Sequence, residues 1–246
     1  MDMVLWQIKL DIEGSLRLDK THLIKDVTLK NKGSNKLQAV IDVESDNSSV
    51  ASDVAIRKVN DVLDTLSLMT NISLVIAGEK QIHQIGSNIH ISSLPASYSI
   101  IRISNNEEIQ NAEEILNKIS DEETTFLRAV GWYRKGLNGI DAFDTFLAFW
   151  NSIEIITEKF GPSGPTINGS KEKMIRMLNS CLKGDYSDFV RESYEYRKNI
   201  AHGVKSVNFE QIRLVSSKIP RLKEVANEFL LDYARRNYLR EYDHIS

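Results

Sequence analysis

The sequence has little cysteine, glycine and proline, and it contains no long apolar run. A single cysteine, Cys181, excludes an internal disulfide and any zinc site built from several cysteines. The 12 glycines and 4 prolines are too few for a collagen-like or low-complexity chain, and hydrophobic residues make up 41%. No stretch approaches the roughly 18 consecutive apolar residues of a membrane span. We therefore expect a globular protein with a sizeable core and no membrane partner.

The charge balance is also unremarkable. Lys and Arg number 31 against 34 Asp and Glu, so the formal net charge is −3. This excludes a protein that holds nucleic acid mainly by bulk positive charge, although a local basic site remains open. The N-terminus has neither the basic segment nor the apolar segment of a secretory signal, and we expect a cytoplasmic protein.

The first part of the chain predicts a small α+β domain over residues 1–115. Short β-branched segments from Val4, His22 and Leu37 predict antiparallel strands. Between Ser49 and Met69 the apolar residues recur at spacings of three and four, which predicts a helix capped by Ser48 or Ser49. Further strands follow in SLVIAG, NIHISS and SYSIIRIS. The role of this domain is unknown from its sequence.

After Glu107 the strand patterns stop, and residues 120–246 predict an all-α bundle. EEIQNAEEILNKIS predicts a connecting helix, and the next helix runs to Leu137 with Phe126, Val130 and Tyr133 on one face. The central core helix is predicted by Phe143, Phe146, Leu147, Trp150 and Ile153. A loop starts at Gly161. The last long helix, from about Phe209 to Arg240, is expected to be interrupted or bent at Pro220.

The densest polar cluster near a helix end is YEYRKNIAHG. Gly203 predicts the helix end, so His202 lies in the last turn, where the backbone carbonyls favour the imidazolium form. Arg197 lies five residues earlier, about 140° around an ideal helix. A guanidinium that neutralises a phosphate, beside an imidazole that transfers protons, suits phosphodiester cleavage. This chemistry requires no metal and no cofactor.

The two residues alone also fit a purely structural interpretation. In that case His202 caps the helix, and Arg197 pairs with a carboxylate such as Glu154 or Glu195.

The surrounding sequence resembles the HEPN superfamily, the higher eukaryotes and prokaryotes nucleotide-binding domains. LRAVGWYRKGLNGIDAFDTFLAFWNSIEIITE, followed by YEYRKNIAHG, looks like the Apea-like group and its relatives from methylamine-utilisation loci. The resemblance covers roughly residues 121–242. It implies a helical bundle that forms a homodimer, with two Arg and His motifs facing one cleft, and a metal-independent endoribonuclease, often of toxin-antitoxin or phage-defence systems.

Carried over to this chain, the resemblance makes Arg197 and His202 the catalytic pair. Glu154 matches the family's acidic position and would orient one of them, or it would form a buried structural ion pair. Lys198, Asn199 and Tyr196 are the candidate RNA contacts. The sequence names no RNA sequence, no antitoxin and no defence partner.

The chain departs from the active members of the family at Lys198, where they commonly carry Asn, Asp or His. A second hypothesis is therefore a catalytically silent module that binds RNA, nucleotide or a protein partner and dimerises. A third hypothesis is an independent small-molecule site in the N-terminal domain, although no sequence feature there names a ligand.

Three weaker candidates complete the analysis. GPSGPTINGSKEK lacks the ending of a phosphate-binding loop and predicts a surface loop. His83 and His90 have no carboxylate at ligand spacing, and His22 lies in a predicted strand, so we expect no metal site. Trp132 is expected in the core, with Arg134 and Lys135 solvated, rather than in a base-stacking RNA site.

Overall fold

The computed structural model describes residues 3–33, 36–87, 90–93, 102–119, 124–139, 141–164, 169–201 and 209–239. The chain divides into two compact units, Met1–Lys118 and Ile119–Ser246. The first contains a mainly antiparallel β-structure with two helices, and the second contains helices. The fold class is therefore α+β, as the sequence predicts.

The strands of the first unit are β1 (Val4–Gly14), β2 (Leu16–Arg17), β3 (His22–Ile24), β4 (Val27–Lys32), β5 (Lys36–Ser45), β6 (Leu74–Gln84), β7 (His90–Ser93) and β8 (Arg102–Ile103). Six of them form an antiparallel sheet in the order β3-β4-β5-β1-β6-β7. A separate parallel pair joins β2 and β8.

The two faces of the sheet differ because side chains alternate along a strand. On β1, Ile8, Leu10 and Ile12 are fully buried. α1 (Ser48–Thr70) packs against the central strands, and α2 (Asn106–Lys118) packs against α1. The predicted connecting helix α2 is thus part of the first unit, because its apolar side is buried there.

Two details of the first unit correct the sequence predictions. HLIKDVTL is not one strand, because Lys25 adopts a positive φ of 49° and the chain folds back into the hairpin of β3 and β4. The N-cap of α1 is Asn47 rather than Ser48 or Ser49, since the Asn47 side chain accepts the Val50 N–H at 2.9 Å.

The second unit consists of α3 (Thr125–Leu137), α4 (Ala142–Phe160), α5 (Gly169–Cys181), α6 (Ser187–Ala201) and α7 (Phe209–Asn237). α4 lies at its centre, in contact with the four other helices. Its aromatic residues Phe146, Phe149 and Trp150 are fully buried or nearly so. This confirms the predicted core helix, although Phe143 and Leu147 are only half-buried.

α7 is one helix from Phe209 to Asn237 and contains Pro220, so the helix is not interrupted there, and the expected alternative of a bend at Pro220 stays a prediction. Proline in a helix interior costs about 3 kcal/mol. The apolar residues that follow it are fully buried and offset this cost: Leu222, Val225, Ala226, Phe229 and Leu230. None of the described helices is both long enough and apolar enough to cross a membrane.

The structure also corrects the position of Trp132, which is half-buried rather than in the core. Its neighbour Tyr133 is fully buried, and burial raises the pKa of its hydroxyl, which is hydrogen-bonded with Asn227. Lys135 places its ammonium 4.5 Å from the centroid of the Trp132 ring. This cation-π contact uses the face that base stacking would need.

Candidate functional site

The carboxylate of the candidate site is positioned by α4. Asp141 caps this helix by accepting hydrogen bonds from the backbone N–H groups of Phe143 and Asp144, at 2.8 and 3.1 Å. Trp150 fixes the rotation of the helix because it is fully buried. Glu154 lies one turn after Trp150, and its side chain is 18% exposed. The core packing of α4 therefore places this carboxylate at the edge of the core.

α6, which carries Arg197, is fixed at its N-terminal end. Asp185 accepts the Ser187 N–H at 2.9 Å, and hydrogen bonds from Ser187 lower the pKa of the Asp185 carboxyl. Asn179 on α5 accepts the Tyr186 N–H at 2.7 Å. These bonds set where the helix starts. Val190, in the first turn of α6, is fully buried, and Arg197 lies two helical turns after it.

Two aromatic pairs join α6 to α4 beside the candidate site. Tyr194 meets the ring of Trp150 edge to face, with the ring centroids 6.3 Å apart. Tyr196 contacts Phe146 in a tilted arrangement, with the centroids 6.1 Å apart. Part of the ring of Tyr196, a predicted RNA contact, therefore packs within the bundle.

Arg197 and Glu154 form the polar contact between the two helices. Arg197 Nη2 lies 3.5 Å from Glu154 Oε2, at the long limit of a hydrogen bond, and the Arg197 side chain is 31% exposed. The Arg197 Nε is buried and has no hydrogen-bond partner among the described residues, and the same holds for Trp150 Nε1 on the facing helix. Within this part of the chain, the guanidinium is therefore anchored through one nitrogen.

A guanidinium held in this way can still receive a phosphate. Arginine has five N–H donors in a fork that matches the oxygens of a phosphate group. Glu154 takes up one of the five donors in Arg197, and part of the group faces solvent. The arrangement therefore provides an oriented cation beside the core.

The structure brings together only some of the predicted residues. Arg197 and Glu154 form the expected pair, whereas Glu195, the other carboxylate considered, is exposed. Lys198 is exposed and Asn199 is half-buried. His202 and Gly203 lie outside the described residues, so the predicted geometry of the catalytic pair is untested. Sequence reasoning missed Lys171, whose ammonium lies 5.4 Å from the centroid of the Tyr194 ring.

The three histidines of the first unit are His22, His83 and His90. His22 Nε2 lies 2.6 Å from Asp19 Oδ1, and this hydrogen bond lowers the pKa of the Asp19 carboxyl. His83 lines a cavity of about 350 Å³ in the first unit. The side chain of His90 lies outside the described part of the chain. Among the described residues, no group of three His, Cys, Asp or Glu side chains is placed to hold a metal ion.

Comparisons with protein-family models, with curated proteins and with solved structures found no match to the chain.

Proposed function

We propose that the protein is a metal-independent endoribonuclease of the HEPN type that acts in the cytoplasm. In this proposal Arg197 neutralises the scissile phosphate, and His202 is the general acid and base. The observation that carries the proposal is the Arg197 guanidinium, which is anchored to Glu154 by one nitrogen and 31% exposed. The resemblance of the segment around it to HEPN motifs gives the class of reaction.

The proposed reaction is transfer of the phosphoryl group to the ribose 2′-oxygen. One His202 imidazole takes the proton from the 2′-hydroxyl, and the 2′-oxygen attacks the phosphorus atom. The bond from phosphorus to the 5′-oxygen breaks, and the leaving 5′-oxygen takes a proton from an imidazolium. Arg197 stabilises the negative charge that builds up on the phosphate oxygens. The products carry a 2′,3′-cyclic phosphate and a 5′-hydroxyl.

In the proposed homodimer, the helical units of two copies place both motifs at one cleft. The His202 imidazolium of the second copy then supplies the proton that the leaving 5′-oxygen takes. Glu154 is a positioning residue, since it touches Arg197 rather than RNA. Lys198, Asn199 and Tyr196 would contact the RNA. Lys198 is the best placed of these three, because its side chain is exposed.

The test is cleavage of end-labelled single-stranded RNA by the full chain in excess EDTA. We expect the parent to produce 2′,3′-cyclic phosphate ends, and Arg197→Ala and His202→Ala to lose cleavage. Arg191→Ala is the matched control, since Arg191 lies on the same helix with a 60% exposed side chain. Circular dichroism and sedimentation must show all variants folded and of equal size. Cleavage retained by His202→Ala would overturn the assignment of the acid and base.

The biological setting we propose is a toxin or phage-defence system. Induced expression in bacteria should then arrest growth with the parent sequence and leave growth unaffected with His202→Ala. An equal arrest by both would contradict a role for cleavage in toxicity.

A second candidate is a catalytically silent HEPN module that binds RNA, nucleotide or protein and dimerises. The observation that favours it is Lys198, an exposed cation directly after Arg197 where active members of the family commonly have Asn, Asp or His. This candidate predicts RNA retention without cleavage across varied RNAs, weakened by Lys198→Gln. It also predicts that His202→Ala leaves the dimer intact.

A further inference from the structure

A cavity of the first unit is lined, among the residues that the structure describes, by four polar side chains from two neighbouring strands. Gln7 and Lys9 lie on β1, and Gln81 and His83 lie on β6. The antiparallel register pairs Lys9 with Gln81 and Gln7 with His83. The four positions therefore form a compact square on one face of the sheet. The residues between them, Ile8 and Ile82, are buried on the other face.

The carboxylates beside this square have other partners. Asp11, two residues along β1 from Lys9, is 4% exposed; it binds the Lys32 ammonium at 2.8 and 2.9 Å and the Gln38 amide at 3.2 Å. Asp42 accepts a hydrogen bond from Gln7 at 3.2 Å. Neither carboxylate forms an ion pair with Lys9.

Lys9 itself makes no ion pair and no hydrogen bond through its ammonium within the described part of the chain. It is half-buried and lines the cavity. A cation in such a position is stabilised by an anion that enters from solvent, because partial burial weakens its hydration and no carboxylate among the described side chains of the sheet pairs with it.

We propose that this cavity, bounded by Gln7, Lys9, Gln81 and His83, binds a small molecule through its phosphate group. The proposal concerns the N-terminal unit and is independent of the ribonuclease proposal. The volume of about 350 Å³ lies in the range of ligand clefts, about 300–1,000 Å³. All four side chains carry N–H donors: an ammonium, an imidazole and two carboxamides.

This set of donors suits a phosphate better than a carboxylate. A terminal phosphate presents three strong acceptor oxygens, whereas a carboxylate presents two. Lys9 supplies the charge, and the amides and the imidazole supply direction to the hydrogen bonds. The side-chain oxygens of Gln7 and Gln81 are acceptors that can select the rest of the ligand.

Isothermal titration calorimetry on the full chain at low salt tests the proposal. The probes are inorganic phosphate, adenosine 5′-monophosphate and adenosine, which lacks the phosphate. We expect saturable binding of the two phosphate probes and none of adenosine. Lys9→Gln should weaken binding by about tenfold or more, because a hydrogen bond to a charged group contributes enough to change affinity by this factor.

Two control variants locate the binding. Lys30→Gln removes another half-buried lysine, on β4, that does not line the cavity, and it should bind as the parent does. Arg197→Ala removes the other cation that we propose to meet a phosphate, and the binding that depends on Lys9 should persist in this variant. The proposal is overturned if the parent binds neither phosphate probe, if Lys9→Gln binds as tightly as the parent, if Lys30→Gln loses as much affinity as Lys9→Gln, or if Arg197→Ala abolishes binding.

Discussion

Replacing Glu154 by glutamine removes the charge that anchors Arg197 and leaves the shape of the side chain nearly unchanged. Exposed ion pairs contribute about 0–1 kcal/mol, and removal of one partner of a buried pair costs about 3–5 kcal/mol. The two side chains here are 18% and 31% exposed, and the contact is 3.5 Å long. We therefore expect Glu154→Gln to lower the free energy of unfolding by about 1–2 kcal/mol, between these two limits.

A double-mutant cycle isolates the interaction itself. Urea unfolding of the parent, Glu154→Gln, Arg197→Gln and the double variant, followed by tryptophan fluorescence, gives four free energies of unfolding. We expect a coupling energy of about 1 kcal/mol, since the double variant leaves neither charge unpaired. Additive effects of the two substitutions would refute the view that Glu154 holds Arg197.

The same variants separate a structural ion pair from a positioning role. If Glu154 orients Arg197 toward RNA, Glu154→Gln should lower kcat for cleavage at a temperature where parent and variant are equally folded. KM should change less, because the substitution leaves the proposed RNA contact at the exposed Lys198 in place. A loss of stability with no change in kcat would leave Glu154 a purely structural residue.

Three further predictions concern stability. Gly136→Ala should cost about 1–3 kcal/mol, since its Cβ would lie 2.7 Å from a buried ring of α4, whereas Gly164→Ala meets nothing within 4 Å and should be neutral in thermal unfolding. Asn47→Ala should cost about 1 kcal/mol in urea unfolding and Ser49→Ala much less, because only Asn47 caps α1. The free energy of unfolding should fall as pH rises above about 10, because the Tyr133 hydroxyl ionises there in the unfolded chain but not in the folded one. Over the same pH range, the Tm of Tyr133→Phe should fall less than the Tm of the parent.

Local periodicity accounts for the parts of the fold that the sequence predicted. The spacings of three and four in α1, and the buried face of Phe126, Val130 and Tyr133 in α3, follow from which side of each helix meets the core. The strand segments from Val4 and Leu37 were equally clear in the sequence, because β-branched residues and polar breaks mark them. These signals lie within a single element, so one sequence suffices to find them.

The predictions that were wrong concern places where neighbouring groups or opposing effects compete. Asn47, Ser48 and Ser49 can all cap a helix, and the choice of Asn47 depends on which backbone N–H comes within reach. The hairpin at Lys25 has no glycine or asparagine at its positive φ, so the usual turn pattern was absent. Pro220 was expected to interrupt or bend α7, but it does not interrupt the helix, because the burial of the residues after it outweighs the local cost.

The two candidate sites differ in how well the sequence predicts their residues. The Arg197 cluster was found because its residues lie close together along the chain, and the motif resemblance added Glu154. The cavity at Lys9 and His83 was not found, since its residues lie on strands more than seventy positions apart and meet only through the register of β1 and β6. Without that register, Lys9 is indistinguishable from any other strand lysine.

Glu154 contacts the Arg197 guanidinium through one nitrogen, and both candidate functions depend on this geometry. A bidentate carboxylate would occupy the fork that a phosphate needs, and RNA would then have to displace it. Glu154 instead reaches only Nη2, at 3.5 Å, so it orients the guanidinium without filling the fork. Phosphate binding is compatible with this arrangement in an enzyme and in a silent module alike. Cleavage additionally needs a proton carrier, and so the His202→Ala assay, rather than any binding measurement, separates the two.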